Sequence, residues 1–198
     1  MNNDETMSVK RENLLNAYKN ANDEQKSFLE NLFGMDTFKP KDIRDRIKTF
    51  EDACHELGDE HPYVKSYKDF VCDSPNFEEE ADIAAYLKLR IIADALNEGW
   101  KPQFMPNEKR WAPYFLLFTQ EEIDEMDEEI KARVVSQADD SADTFVGVSY
   151  AYSDRDCPNV HASTGSRLAF KSQELSEYAG GQFIDIFADF MLGRELKK

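Results

Sequence analysis

A helical repeat of apolar residues over positions 77–98 constrains the fold more than any other feature of the sequence. Its apolar residues recur at i, i+3 and i+4 and form two stripes, a pattern typical of a helix buried on most sides. The first stripe contains Ile83, Ala84, Leu87, Ile91 and Ala95, and the second contains Tyr86, Leu89, Ile92 and Leu96. Asn76 suits the N-cap and Gly99 suits the end. We therefore predict a central helix around which the chain packs.

Signals of shorter helices precede the central helix. Asn22 with Gln25, and Thr49 with Asp52, have the spacing of capping boxes, in which each side chain bonds the backbone N–H of the other residue. The glycines at the corresponding stop positions are Gly34 and Gly58. The first half of the chain is therefore predicted to be helical.

The pattern after Gly99 predicts short strands. We expect these strands over residues 111–118, 133–135, 144–152 and 167–170, with a polar loop over 153–165. Alternation places Val146, Val148, Tyr150 and Tyr152 on one face of the third strand. An acidic pair of helical turns over 121–131 is expected to point Ile123, Met126 and Ile130 inward.

A final helix closes the predicted fold. Ser172 suits its N-cap, and the apolar stripe runs through Leu175, Tyr178, Ala179, Phe183, Ile186, Phe187 and Phe190. Gly180 and Gly181 interrupt it, and we expect a strand or helix to approach closely at Gly181. Since helices and strands do not alternate, the prediction is an α+β fold: N-terminal helices, a small antiparallel sheet, and a long C-terminal helix packed on the sheet.

The chain of 198 residues is long enough to bury one ordinary core. We predict a single domain over 1–198, with 1–8 frayed, a helical half over about 9–99 and the sheet with its closing helix over about 100–193. It has no apolar run of transmembrane length and no apolar segment of a secretory signal near its start, so we expect a cytoplasmic protein without a membrane partner. The three cysteines, Cys54, Cys72 and Cys157, are then expected to be reduced thiols.

Acidic residues outnumber basic ones by 40 to 24, which gives a net charge of −16. Such a charge repels phosphate backbones, so direct binding of nucleic acid is not expected. Residues 119–143 carry ten acids against two bases, a net charge of −8. Seven of these acids, here called the acidic segment, are candidate partner-binding residues for a basic protein: Glu121, Glu122, Asp124, Glu125, Asp127, Glu128 and Glu129. A simple solvated helix face is the alternative interpretation.

Motifs of catalysis are not recognisable in the sequence. Cysteine and histidine cluster weakly, at Cys54, His55, His61, Cys157 and His161, but the tight C-x2-4-C pairs that structural zinc sites favour do not occur. Neither a nucleophile elbow nor a phosphate-binding glycine loop is present. We therefore expect no catalytic residues, no metal site and no cofactor. The aromatic residues between Trp100 and Phe118, with Lys101, Lys109 and Arg110 beside them, could form a stacking platform, but core packing is favoured.

Four stretches together resemble a family of uncharacterised conserved proteins of bacteria and their phages. They are IKTFEDACHELG from Ile47, YLKLRIIADALNEGWKPQF from Tyr86, RWAPYFLLFTQEEIDEMDEE from Arg110, and GSRLAFKSQELSEYAGGQFIDIFADFM from Gly165. The resemblance covers about Ile47 to Met191 and is most specific in the last stretch. It implies a phage or mobile-element context and transfers no catalytic residue.

These observations favour a non-enzymatic accessory or structural protein that acts through protein–protein contacts. Two alternatives remain open. An acidic nucleic-acid mimic would block a DNA- or RNA-binding protein, and would need Glu78, Glu79 and Glu80 in one strip with the acids of 119–143. An enzyme that uses carboxylates with a divalent cation would draw its ligands from the acidic segment.

Overall fold

A computed structural model describes residues 8–73, 80–103, 105, 107–136, 145–156 and 166–193. The chain forms two compact units, residues 1–42 and 43–198. The prediction of one domain over 1–198 stays a prediction. Among the helices of the described residues, none combines the length and apolar content needed to cross a lipid bilayer.

The first unit contains helices α1 (Arg11–Lys19) and α2 (Asp23–Phe33), followed by a 3₁₀ turn (Met35–Thr37). The predicted capping box is present: the Asn22 side chain accepts from the Gln25 N–H at 2.9 Å, and Gln25 accepts from the Asn22 N–H at 3.0 Å. Gly34 ends α2 at φ 81°, a conformation that favours glycine. The Tyr18 ring stacks on Phe38 at 4.2 Å between centroids.

Helices α3 (Ile43–Arg46), α4 (Phe50–Leu57), α5 (Pro62–Asp73) and α6 (Ala81–Leu96) open the second unit. The capping box of Thr49 and Asp52 begins α4, as predicted. Helix α6 is the central helix: its buried residues include Ala84, Leu89, Ile91, Ile92, Ala95 and Leu96. Ile83, which was placed in the first apolar stripe, is exposed, so its predicted burial was wrong. The predicted cap Asn76 lies outside the described residues.

The sheet is antiparallel with strand order β1-β3-β2, and the fold class is α+β, as predicted. Strand β1 (Arg110–Thr119) leads directly into the short helices α7 (Gln120–Asp124) and α8 (Glu128–Lys131). Strands β2 (Val135–Ser136) and β3 (Phe145–Asp156) follow. Phe115 lies opposite Tyr150 and Leu117 lies opposite Val148.

Two local predictions in this half were wrong. Residues 153–156 belong to β3 rather than to the expected loop, because β3 continues to Asp156; residues 157–165 lie outside the described residues. The strand expected over 167–170 is a 3₁₀ turn (Ser166–Leu168), after which Phe170 forms an isolated bridge with Trp111. The bridge has two backbone hydrogen bonds, at 2.8 and 3.0 Å, which pair the N–H and C=O groups of Phe170 with those of Trp111. These backbone groups therefore have partners although the segment is not a strand.

The C-terminal helix packs on the sheet, as predicted, but it is divided into α9 (Gln173–Gln182) and α10 (Ile184–Leu192). Phe183 breaks it at φ −114°, ψ 27°, so a single continuous helix was wrong. The Ser172 side chain caps α9 by accepting from the Leu175 N–H at 3.3 Å. The close approach occurs at Gly180 rather than Gly181: an added Cβ there would lie 2.5 Å from the Tyr150 ring.

A group of polar contacts fixes the end of α6 against the segment before α9. The buried Asn97 side chain donates to the Ala169 carbonyl at 2.8 Å and accepts from the Lys171 N–H at 2.9 Å. Glu98 binds the Lys171 ammonium at 2.9 Å and the Arg46 guanidinium at 3.0 Å. The hydrogen bond from Lys171, with a further one from Arg46, lowers the pKa of Glu98.

This lowered pKa predicts a stabilising effect that depends on pH. The Glu98 contribution is fully present above the pKa of the unfolded chain, about 4.3 for glutamate, and is lost as pH falls through the lower pKa of the folded state. We expect Glu98→Gln to reduce the free energy of unfolding at neutral pH, with the difference from the parent chain shrinking below about pH 4.3. Urea denaturation across this pH range measures it. A difference that stays constant with pH would contradict the assignment.

Candidate functional site

The acidic segment lies on α7 and α8, and all seven of its predicted residues are exposed. Glu122 completes a capping box with Thr119, which fixes α7 to the end of β1. Asp124 pairs with Lys131 at 3.7 Å, and Glu129 pairs with Arg133 at 2.8 Å. With the residues that the structure describes, the other five make no ion pair: Glu121, Glu122, Glu125, Asp127 and Glu128.

A glycine in β3 allows α7 to lie against the sheet. A Cβ added at Gly147 would lie 2.6 Å from Ile123 Cδ1 and 2.8 Å from Val134 Cγ1. Ile123 is buried at this point, as predicted. Ile130 is 51 % exposed, so its inward orientation was wrong: α8 has only four residues and starts anew after α7. The acidic segment is thus anchored on the sheet through one isoleucine and carries its charges into solvent.

The sheet has two different faces. On the inner face, the Phe115 ring lies 4.8 Å from Phe187, and Tyr150 contacts Gly180 of α9. Leu116, at the next position of β1, lies on the opposite, outer face, because successive strand residues point to opposite sides. Gly147 with its Ile123 contact is also on this outer face, since its neighbours Val146 and Val148 are fully buried.

A β-bulge changes the alternation within β3. Tyr114 lies opposite Tyr152, but the next residue, Phe115, lies opposite Tyr150, so Ala151 is the extra residue. Tyr150 therefore points inward while Tyr152 points outward, where its ring stacks on Tyr114 at 5.2 Å and 5°. The expectation that Tyr150 and Tyr152 share a face was wrong for this reason.

The outer face consequently carries an exposed apolar patch, which we call the outer-face patch: Tyr114, Leu116 and Tyr152. Leu116 is 53 % exposed and Tyr152 is 55 % exposed. Leu116 lies opposite Ser149, two residues from Gly147, so the patch begins about 7 Å from the anchor of the acidic segment. This patch was not predicted from the sequence, because residues 153–156 are all polar and give no apolar alternation beyond Tyr152.

Strand β1 also forms an edge of the sheet. Its residues pair with β3 on one side, and on the other side the described part of the chain contributes a bridge only at Trp111, with Phe170. An edge strand offers backbone N–H and C=O groups to a further strand. The outer-face patch lies in the middle of β1, and the acidic segment begins after the Thr119 end of the same strand.

The cysteines and histidines are not gathered into a site in the described part of the chain. His61 accepts from the Tyr63 N–H through Nδ1 at 3.4 Å and lies 3.1 Å from Asp94 through Nε2, so both nitrogens are engaged. Burial, with a contribution from Glu51, raises the pKa of the Cys54 thiol. Across the described ranges, no group of three or more His, Cys, Asp or Glu side chains could hold a metal ion. Cys157 and His161 lie outside these ranges.

The aromatic stretch after residue 100 does not form one stacking platform. Trp111 and Phe115 pack against the hydrophobic core, and Arg110 is buried. Trp100 instead lines a cavity. Phe104 lies outside the described residues, as do Glu78, Glu79 and the acids at 139–143 on which a nucleic-acid-mimicking strip depends.

Comparison of this chain with protein-family models, curated proteins and solved structures gave no match. The resemblance over Ile47 to Met191 and its phage context therefore stay predictions.

Proposed function

We propose that this protein is a non-enzymatic accessory protein that acts through protein–protein contacts, with the outer-face patch and the acidic segment as its docking surface. The observation that carries the proposal is the presence, along one edge strand, of an exposed tyrosine–leucine patch in its middle and a group of exposed carboxylates after its end. The partner is a basic protein segment with apolar residues.

The outer-face patch supplies the apolar contact. Tyrosine is enriched at the energetic centres of interfaces because its ring buries a large area and its hydroxyl keeps a polar contact. The Tyr114 and Tyr152 rings are stacked on each other, so they lose little freedom when a partner covers them. Burying this patch would contribute about 25 cal/mol for each Å² of apolar area.

The acidic segment supplies selectivity for charge. Its five carboxylates without an ion pair among the described residues keep their negative field available to a partner. Such a field raises the association rate of a basic partner and disfavours an acidic one, and salt weakens both effects. The segment therefore selects the partner, whereas the outer-face patch holds it.

Addition of a strand to β1 is the binding mode that uses both features. An extended partner segment would pair through backbone hydrogen bonds with the edge of β1 that faces away from β3, where the described residues contribute only the bridge at Trp111. Alternate side chains of this segment would then lie over the outer-face patch, and its basic residues would reach the acidic segment beyond Thr119. A peptide of alternating lysine and valine has this character and serves as a probe.

The test measures the affinity of the full chain for this lysine–valine peptide and for a glutamate–valine peptide by isothermal titration calorimetry. We expect only the basic peptide to bind, and we expect the double variant Leu116→Ser, Tyr152→Ser to weaken binding by at least about tenfold. Phe28→Ser, at an exposed phenylalanine of α2, is the matched control and should bind as the parent chain does.

The double variant Glu125→Gln, Glu128→Gln tests the contribution of charge separately. Its control is the double variant Glu12→Gln, Glu24→Gln in the first unit, where both glutamates are also exposed. The first pair should reduce the salt dependence of binding and the second should not. The proposed function would be overturned if both peptides bound equally. It would also be overturned if the basic peptide bound the Leu116→Ser, Tyr152→Ser variant as tightly as the parent chain.

A further inference from the structure

A cavity of about 240 Å³ lies in the second unit, on the side of α6 that contacts α5. Its lining includes Tyr63 from the start of α5, Asp94 from α6, Trp100 and Lys101 from the segment after α6, and Arg167 from the 3₁₀ turn before α9. These residues are far apart in the sequence, and the packing of α5 and α6 brings them together. The cavity is separate from the residues of the proposed docking surface.

Two cations line this cavity without an acidic partner among the described residues. Neither Lys101 nor Arg167 forms an ion pair there, although acids outnumber bases by 40 to 24 in the chain. Arg167 donates one of its five N–H groups to the Tyr63 hydroxyl. This contact positions the guanidinium beside the cavity and leaves donors available for a ligand.

A third cation adds to the positive potential behind the cavity wall. The guanidinium of Arg90 lies 4.1 Å from the centre of the Tyr63 ring, and that of Arg167 lies 5.6 Å from the same ring. Tyr63 is therefore held by two cation–π contacts. The buried Nε of Arg90 has no hydrogen-bond partner within the described residues.

The one acid of the lining is already engaged. Asp94 Oδ2 lies 3.1 Å from His61 Nε2, and its side chain is largely buried. Because His61 Nδ1 accepts the Tyr63 N–H, the Nε2 atom carries a proton and donates it to Asp94. The carboxylate is thus directed toward the imidazole, and the lining keeps two cations against one acid.

We propose that this cavity binds a small molecule through an oxyanion, either a phosphate or a carboxylate, held by Arg167 and Lys101. Charged hydrogen bonds from guanidinium and ammonium groups are the usual means of binding both anions. A cavity of about 240 Å³ has room for a free anion or a small metabolite. Trp100 provides an apolar wall for the remainder of such a molecule.

The experiment titrates the full chain with inorganic phosphate and, separately, with acetate, each against sodium chloride at matched ionic strength. Thermal unfolding and tryptophan fluorescence are recorded, since Trp100 lines the cavity. We expect at least one of the two anions to raise the melting temperature and change the fluorescence beyond the chloride reference. Which anion saturates distinguishes a phosphate from a carboxylate ligand.

Variants then assign the binding to the cavity. Arg167→Gln and Lys101→Gln should each weaken binding by at least about tenfold, whereas Lys109→Gln, the same charge change at another exposed lysine, should not. Lys101 is exposed, so Lys101→Gln should melt as the parent chain does without ligand. Arg167→Gln loses its contacts with Tyr63, so its response to each anion is measured against its own melting temperature without ligand. No response to either anion beyond chloride, or equal binding by all three variants, would overturn the proposal.

Discussion

Replacing Phe187 by alanine should lower the free energy of unfolding by about 3–5 kcal/mol. Phe187 is 6 % exposed and lies between α10 and the inner face of the sheet, where its ring is 4.8 Å from that of Phe115. Truncation removes these contacts and leaves a cavity that the neighbouring helix and strand fill only in part. The loss would be a large share of the 5–15 kcal/mol of a typical domain. Urea denaturation measures it.

Phe190→Ala is the matched control for this prediction. Phe190 lies one helical turn later in α10, is 38 % exposed, and meets Tyr86 at 6.0 Å. Because it buries less area, its truncation should cost clearly less than that of Phe187. If both variants unfolded at the midpoint of the parent chain, the packing of α10 on the sheet would be wrong.

Gly180→Ala is expected to destabilise the protein by about 1–3 kcal/mol, although alanine normally favours a helix. The added Cβ would lie 2.5 and 2.7 Å from two atoms of the Tyr150 ring and 2.8 Å from Pro113 Cβ. Both neighbours are held in the sheet, so relief requires α9 to move away from β1 and β3. Thermal and urea denaturation would record the loss.

The adjacent glycine gives a control of opposite sign. A Cβ at Gly181 would meet nothing within 4 Å, and the residue lies within α9. Gly181→Ala should therefore stabilise the protein by about 0.5–1 kcal/mol through the lower backbone entropy of the unfolded chain. Equal effects at the two positions would contradict the close approach of Tyr150 to α9.

Features decided by nearby residues were predictable from the sequence. The capping boxes at Asn22 and Thr49 and the cap at Ser172 depend on contacts three residues apart, so their spacing alone reveals them. The break at Phe183 and the bulge at Ala151 depend instead on how α9, α10 and β3 fit together. Hydrophobic spacing carries no information on such tertiary adjustments.

The same distinction applies to the candidate surfaces. The acidic segment is contiguous in the sequence, so its charge was visible there. The outer-face patch was not predictable from the sequence, because the bulge at Ala151 puts Tyr152 and Tyr150 on opposite faces of the sheet. Tyr152 thereby lies beside Tyr114. The cavity was hidden for another reason: Tyr63, Lys101 and Arg167 meet only through the packing of helices.

The central claim, docking of a basic strand on the edge of β1, is tested most directly by amide hydrogen exchange of the full chain with and without the lysine–valine peptide. Strand addition would bond backbone N–H groups along the edge of β1 that faces away from β3, so exchange over residues 114–118 should slow when the peptide binds. The α2 amides at 23–33 serve as the internal reference and should not change. Peptide binding that leaves exchange at 114–118 unchanged would contradict the claim.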